Sequence, residues 1–486
     1  MTYMRGKLRK RKMYLNIFFN IVALIAVIIM LIFCIYLYRL DMIPMKFLSI
    51  IYIIVGVIFL ILILLTLPRK IKLRIKTVCF VFFMIFSLLF GFGIKYVDKT
   101  INFIDVINEE LSQKEEYHVM VLNKSEYSKL EELQNRKIGL YSPNEENRSK
   151  ITELLLKDIT VEIINYDDVI TMFEDLDLKN IDGVIVNSSI EDLLLTDLSY
   201  MNLELKNIHT LMVPIKEVEI VKVVDVTNTP FNIYVAGGDA YGKINKVTNT
   251  DVNMVVSVDP VNHKLLLTSI PRDYYVNLPS KGENAYDKLT HAGYYGIGES
   301  VQTVEKLLDI DINYYVKVNF STIEGVIDAI GGVDVYSDYN FTEDSSGFNY
   351  HYKKGKNRLN GSKALAFARE RHAFKDGDIQ RVKNQQKVLT AIINKMTSST
   401  ALITKYTEIL DSVKKHFSTN LDSKSISRLV KMQLNDMRGW EIESQNLVGT
   451  SASEKTYTFP KMKLYVMKQN DESVIESQNK LKEFFK

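Results

Sequence analysis

Apolar residues fill three long, nearly unbroken stretches in the first hundred positions, at about 13–38, 47–67 and 77–94, and no later run matches them in length. Each is long enough to cross a bilayer as a helix. A cleaved signal peptide does not fit, because the first stretch is too long for an h-region, lacks a small-residue cleavage site and is followed by two more. Cations flank these stretches unevenly. Arg5, Lys7, Arg9, Lys10, Arg11 and Lys12 precede the first, and Arg69, Lys70, Lys72, Arg74 and Lys76 separate the second from the third. The intervening turn, 39–46, is less basic and carries Asp41 and Pro44. Positive charge gathers on the cytoplasmic side, so the tail and the 68–76 loop are expected inside and everything after about 95 outside.

From 117 onward short β-branched runs alternate with amphipathic ones, an α/β pattern. Strands are expected at 117–122, 137–141, 161–165 and 183–186, with a helix over 145–156 entered through Ser142-Pro143-Asn144. A second block opens with the apolar run 231–236, which ends in Gly237-Gly238-Asp239. Strands follow at 252–258 and 264–270, a helix at 301–308, a strand at 314–318, a helix at 322–330 stopped by Gly331-Gly332, and a strand at 333–336. The expected organisation is a membrane region over 1–100, an extracytoplasmic α/β accessory domain over 101–216, and a larger α/β domain over 217–486 with its core at 230–396. The accessory block shows no cluster of His, Ser, Cys or paired acids. Its expected role is accessory, in partner or membrane-proximal positioning.

Net charge narrows the partners: at +3 the chain is not a nucleic-acid binder by composition, and the cytoplasmic segments are too short for a recognition module. The two cysteines, Cys34 and Cys79, both lie in apolar stretches, which excludes an internal disulfide or a thiolate metal site in the exposed part.

The residues that carry chemistry fall in three clusters. Asp239 follows one expected strand and Asp251 precedes the next, so both carboxylates converge on one sheet edge. Two hard oxygen ligands suit Mg²⁺ or Mn²⁺, with water and phosphate oxygens completing the shell; the plainer reading is that one acid caps a turn. In Ser269-Ile270-Pro271-Arg272-Asp273 a buried strand stops at proline and presents an arginine and an acid. Arginine matches phosphate bidentately, whereas a surface Arg272–Asp273 pair would contribute only about 0–1 kcal/mol. In the third cluster, Asn360-Gly361 opens a short helix that leads to Arg369-Glu370-Arg371-His372, and an extended exit turns Arg369 and Arg371 the same way. Asp378 is expected to cap a helix over 379–396 that carries Arg381 and Gln385 on one face. Arg272, Arg369, Arg371 and Arg381 together imply a strongly anionic ligand, and a diphosphate supplies that charge.

These motifs, taken in order with Val304-Glu305-Lys306-Leu307-Leu308, 314–320 and Gly331-Gly332-Val333-Asp334-Val335, resemble the LytR-CpsA-Psr phosphotransferases of Gram-positive cell walls. Three spans followed by an intervening domain resemble the CpsA-type architecture associated with capsule, which implies that the accessory domain meets other cell-wall or capsule assembly proteins. The resemblance implies an α/β domain with a central mixed sheet flanked by helices, which holds a polyprenyl diphosphate in an apolar tunnel. It implies that Asp239 and Asp251 serve the metal–diphosphate site and that Arg272, Arg369, Arg371, Arg381 and Gln385 contact phosphate oxygens. It implies transfer of an anionic glycopolymer, capsular or teichoic-acid-like, from that membrane lipid to a peptidoglycan hydroxyl, with Asp273 and Asp378 as candidate bases. Hydrolysis of the same lipid diphosphate and a non-enzymatic regulatory role are the alternatives. Asn249, Thr290 and Asn384 depart from the usual pattern.

Overall fold

The computed structural model describes residues 2–109, 114–142, 145–188, 203–214, 222–238, 250–344, 346–398, 408–409, 412 and 417–486. Two compact units are present, residues 1–106 with 423–437, and residues 107–422 with 438–486.

The first unit is built on three helices, α1 (Thr2–Leu40), α2 (Met45–Thr66) and α3 (Leu73–Glu109). Segments of each are long and apolar enough to cross a membrane. Their contacts are aromatic and tight: Phe33 stacks on Phe90 with ring centroids 4.9 Å apart, and Phe59 meets Phe83 edge-on. A Cβ at Gly93 would come within 2.5 Å of the Phe33 ring, so the smallest residue is what admits that ring. Ile17, Ile21, Leu24, Ile28, Ile53 and Leu60 are exposed along the outer faces. Apolar side chains turned outward along whole helices call for lipid as the solvent, and the chain is anchored in a membrane. The amphipathic Ser423–Asp436 helix belongs to this unit, where Lys431 Nζ lies 2.7 Å from Asp41 in the α1–α2 turn and Lys46 donates to the Asn435 carbonyl.

The second unit holds two larger sheets among several two-stranded ones. β1 (Lys114–Leu122), β2 (Lys137–Tyr141), β3 (Glu162–Tyr166), β4 (Gly183–Asn187) and β5 (Leu205–Pro214) form the first, in the order β3-β2-β4-β1-β5. Helices α4 (Glu145–Asp158) and α5 (Val169–Asp177) connect its parallel strands. Period-two alternation divides β1 between two cores: Val119 and Val121 pack with Ile151 and Leu155, while Met120 packs with Phe173. Sequence reading passed over α5 and β5, although Asp168 caps α5 by accepting from Thr171 N at 3.0 Å, a readable start signal.

The second sheet contains β6 (Phe231–Gly238), β7 (Val252–Asp259), β8 (Lys264–Ile270), β9 (Tyr314–Asn319), β12 (Phe417–Thr419) and β13 (Glu441–Asn446). Here β10 (Val333–Ser337) and β11 (Gly355–Leu359) form a separate antiparallel pair. The sheet runs β12-β9-β6-β7-β8-β13 and is mixed, with β6–β9 and β8–β13 parallel and β6–β7–β8 antiparallel. Helices α6 (Ile297–Leu308), α7 (Phe320–Ala329), α8 (Gly361–Arg369) and α9 (Gly377–Thr397) belong to the same domain. The α/β class and the mixed sheet are as expected. Gly331 and Gly332 stop α7 at φ +77° and +86°, as a left-handed exit requires. A Cβ at Gly361 would lie 2.4 Å from the Glu324 carbonyl, so glycine lets α8 start against α7.

A buried carboxylate braces the turn behind β8. Asp287 is fully buried, lies 2.6 Å from His291 Nδ1, and accepts from Thr458 N and Oγ1 at 2.7 and 2.6 Å. Neighbouring Phe459 packs into the core beside α5. Burial works against the charged form, but His291 and the Thr458 donors outweigh it and hold the Asp287 carboxyl below its usual range. A depressed folded-state pKa gives stability that is complete above the unfolded value of about 4 and is lost as pH falls through the folded value. Asp287→Asn is expected to cost about 2–4 kcal/mol at neutral pH. Melting curves between neutral and acid pH are expected to show a shallower acid decline for the variant than for the natural protein.

Candidate active site

The β7–β8 register builds the site. Asn253 pairs with Ile270, so two residues further out Asp251 and Arg272 come opposite each other at the sheet edge. Arg272 Nη1 lies 2.7 Å from Asp251 Oδ1, its Nε is 3.5 Å from Asp273 Oδ2, and Lys288 Nζ is 3.4 Å from Asp273 Oδ1. The simple Arg272–Asp273 surface pair is thus replaced by a part-buried cluster in which Asp251 is the close partner. Burial disfavours the Arg272 charge, yet Asp251 and Asp273 overcome that and hold the guanidinium more firmly protonated than usual.

Helix α9 supplies the second guanidinium. The capping expectation for Asp378 is corrected: Asp376 occupies the N-cap and Asp378 sits in the first turn, with an oxygen 2.6 Å from Arg381 Nη2. The helix begins at Gly377, earlier than expected, and this turns Asp378 from a cap into a counter-ion. Arg381 is buried and its charge is disfavoured first by that burial; Asp378 and Asp251 support it, whereas Arg272 and Arg371 repel it, and the balance lowers its pKa. Arg272, Arg371, Asp251 and Asp378 are therefore all within electrostatic reach of Arg381. Nε of Arg272 and Nε of Arg381 are buried without a hydrogen-bond partner. Such donors are costly when unmade, and two of them beside crowded cations fit an anion.

Arg369 ends α8 with its guanidinium carbon 4.3 Å from the Phe320 ring centroid, and it also acts electrostatically on Glu324. The chain leaves α8 extended at Glu370, which is fully buried and accepts from Asp344 N and Ala373 N, both at 2.8 Å. Arg369 and Arg371 flank that inward residue, and Arg371 is exposed. On α9, Gln385 is half-buried, whereas Gln386, not singled out in the sequence, donates to Ser269 Oγ at 2.9 Å and to Asn446 Oδ1 at 2.7 Å. Gln386 thereby ties α9 to the ends of β8 and β13. Asn384 is buried and donates to the Phe367 carbonyl at 3.2 Å, so its amide joins α9 to α8.

Asp239 and Asn249 lie outside the described residues. For a divalent cation, the described part of the site offers the Asp251 carboxylate and, beside it, the Thr250 hydroxyl, buried without a hydrogen-bond partner. No group of three or more His, Cys, Asp or Glu positioned for a metal occurs among the described residues. That donor set fits an ion that draws most of its shell from water and phosphate oxygens.

The LytR_cpsA_psr family model matches residues 196–482, which include every one of these positions. The chain belongs to this family. Similar LytR-CpsA-Psr proteins include the polyisoprenyl-teichoic acid–peptidoglycan teichoic acid transferase TagU of Bacillus cereus, 39% identical over 193 residues that make up 40% of this chain and 61% of the relative. TagV of Bacillus subtilis, with the same activity in its name, is 36% identical over 205 residues, 41% of this chain and 52% of the relative. This chain therefore spans between about half and three-fifths of the length of these relatives. Among solved structures, B. subtilis TagV aligns over 53% of this chain and 98% of its own, with 28% identity and a TM-score of 0.45. TagT bound to LIIa-WTA aligns over 54% of this chain and 93% of its own, with 28% identity and a TM-score of 0.43.

Proposed function

We propose that this LytR-CpsA-Psr protein transfers an anionic glycopolymer from a polyprenyl diphosphate carrier to peptidoglycan on the outer face of the membrane. The observation that carries the reading is the pair of guanidinium groups, part-buried Arg272 and buried Arg381, each with a buried Nε that has no hydrogen-bond partner. The names of the teichoic acid transferases it is similar to support the same substrate classes. Orientation is supported by the cation pattern, which places the α1–α2 turn opposite the basic tail.

In this reading Arg272, Arg371 and Arg381 bind the diphosphate oxygens and neutralise charge as the transferring phosphorus is attacked. Arg369 and Gln385 complete the grip. A peptidoglycan hydroxyl oxygen forms a bond to the sugar-proximal phosphorus while the bond from that phosphorus to the bridging oxygen breaks. Polyprenyl phosphate leaves with the electron pair, and the hydroxyl proton passes to a carboxylate, Asp273 or Asp378. Asp251, with Asp239, would hold Mg²⁺ or Mn²⁺, which supplies further charge neutralisation at the diphosphate. The reading is tested by incubating the full-length protein with lipid-linked glycan, Mg²⁺ and peptidoglycan oligomers. A phosphodiester-linked conjugate together with released polyprenyl monophosphate is expected. Free phosphorylated glycan without conjugate would replace transfer by hydrolysis.

A further inference from the structure

Helix α9 has a second functional face. Arg381 and Gln385 are four residues apart on the face toward the diphosphate site, whereas Lys383, Lys387, Thr390 and Asn394 follow at helical spacing on the opposite side. That opposite side forms one wall of a cavity of about 800 Å³, with Ser444 and Asn446 of β13 and Asp334 and Tyr336 of β10 lining the rest. The volume lies in the range of ligand pockets, and polar side chains project along much of the wall. Seven of its twelve lining residues carry a hydroxyl or amide group, and Tyr336 is 63% exposed.

Charge gives the cavity a sign. Lys383, Lys387 and Lys395 line it against one acid, Asp334, which is already engaged by Lys356 at 3.0 Å and by Arg358 at 3.4 Å. Lys387 bonds Asp338 at the rim, where the Lys383 charge is also felt. A cationic groove with many hydroxyl and amide partners and one open aromatic face suits sugar units that carry negative charge. Its place relative to the clamp is set by Gln386, which lines the groove and hydrogen-bonds Ser269, three residues before Arg272.

We infer that this groove binds a distal, anionic segment of the donor's glycan chain, while the diphosphate at the head of the same chain sits at the arginine clamp. This rests on the transferase reading and adds to it a second point of attachment that short donors do not reach. Two linked contacts raise overall affinity through effective concentration, which favours chains long enough to occupy both.

The test uses the full-length protein in detergent micelles and three lipid-free fluorescent probes: a linear poly(glycerol phosphate) decamer, an uncharged dextran oligomer and a peptidoglycan tetrasaccharide. Fluorescence anisotropy is expected to show binding of the decamer alone, weakened by high salt. The Lys383→Ala/Lys387→Ala variant is expected to bind it about tenfold more weakly, with melting changed by no more than a few degrees, because Lys383 is exposed and the Lys387–Asp338 pair is only part-buried. Arg272→Ala is expected to bind it as the natural protein does. No decamer binding, binding lost in Arg272→Ala but kept in the double-lysine variant, or preference for the peptidoglycan probe would each overturn the inference. The transferase reading is judged separately, by conjugate formation with a short-chain donor.

Discussion

Arg272→Ala is expected to lower conjugate formation about a thousandfold, at the upper end of what removal of one preorganised charge-stabilising donor costs an enzyme. The side chain faces the site with an unsatisfied Nε while its Nη1 holds Asp251, so the substitution removes a phosphate donor and also strips Asp251 and Asp273 of their shared counter-ion. Stability should fall as well, by about 1–3 kcal/mol, less than for a fully buried pair because the arginine side chain remains 30% exposed. Arg272→Lys separates these effects. An ammonium keeps charge between the carboxylates but lacks the fork that matches phosphate. Melting temperature is therefore expected to recover while turnover does not, and recovery of both would assign Arg272 a purely structural role.

Replacing Arg369 and Arg371 together with Ala is expected to abolish conjugation and leave the fold intact. Arg371 is exposed, and the contact of Arg369 with Phe320 is a cation–π interaction of about 0.5–1 kcal/mol at such a site. The fold at this turn is held by Glu370, whose carboxylate binds two backbone N–H groups. A melting temperature within a few degrees of the natural protein, with no conjugate, is the predicted outcome. A large loss of stability would instead make this arginine pair part of the scaffold.

Much of this architecture is legible in the sequence because local signals and tertiary context agree. Strands 137–141 and 264–270 appear at their expected bounds, since continuous β-branched and leucine runs with polar ends leave little choice. The Gly331-Gly332 stop is readable for the same reason, as only glycine accepts two successive positive φ values cheaply. Pairing between side chains is harder to read. The motif offers only Asp273 as a neighbour for Arg272, while antiparallel register brings in Asp251, twenty-one residues away, as the closer partner. Asp378 reads as a cap in the sequence, whereas the helix starts at Gly377 and places it in the first turn. Spacing favours Gln385 over Gln386, since a one-residue step rotates a helical side chain by about 100°, and only the position of β13 decides which glutamine turns inward.

The central claim is most directly tested by determining the structure of the full-length protein with a short-chain polyprenyl diphosphate bound. Phosphate oxygens within hydrogen-bond distance of both Arg272 Nε and Arg381 Nε are the predicted result. A diphosphate bound elsewhere, with those two nitrogens still unpartnered, would contradict the account.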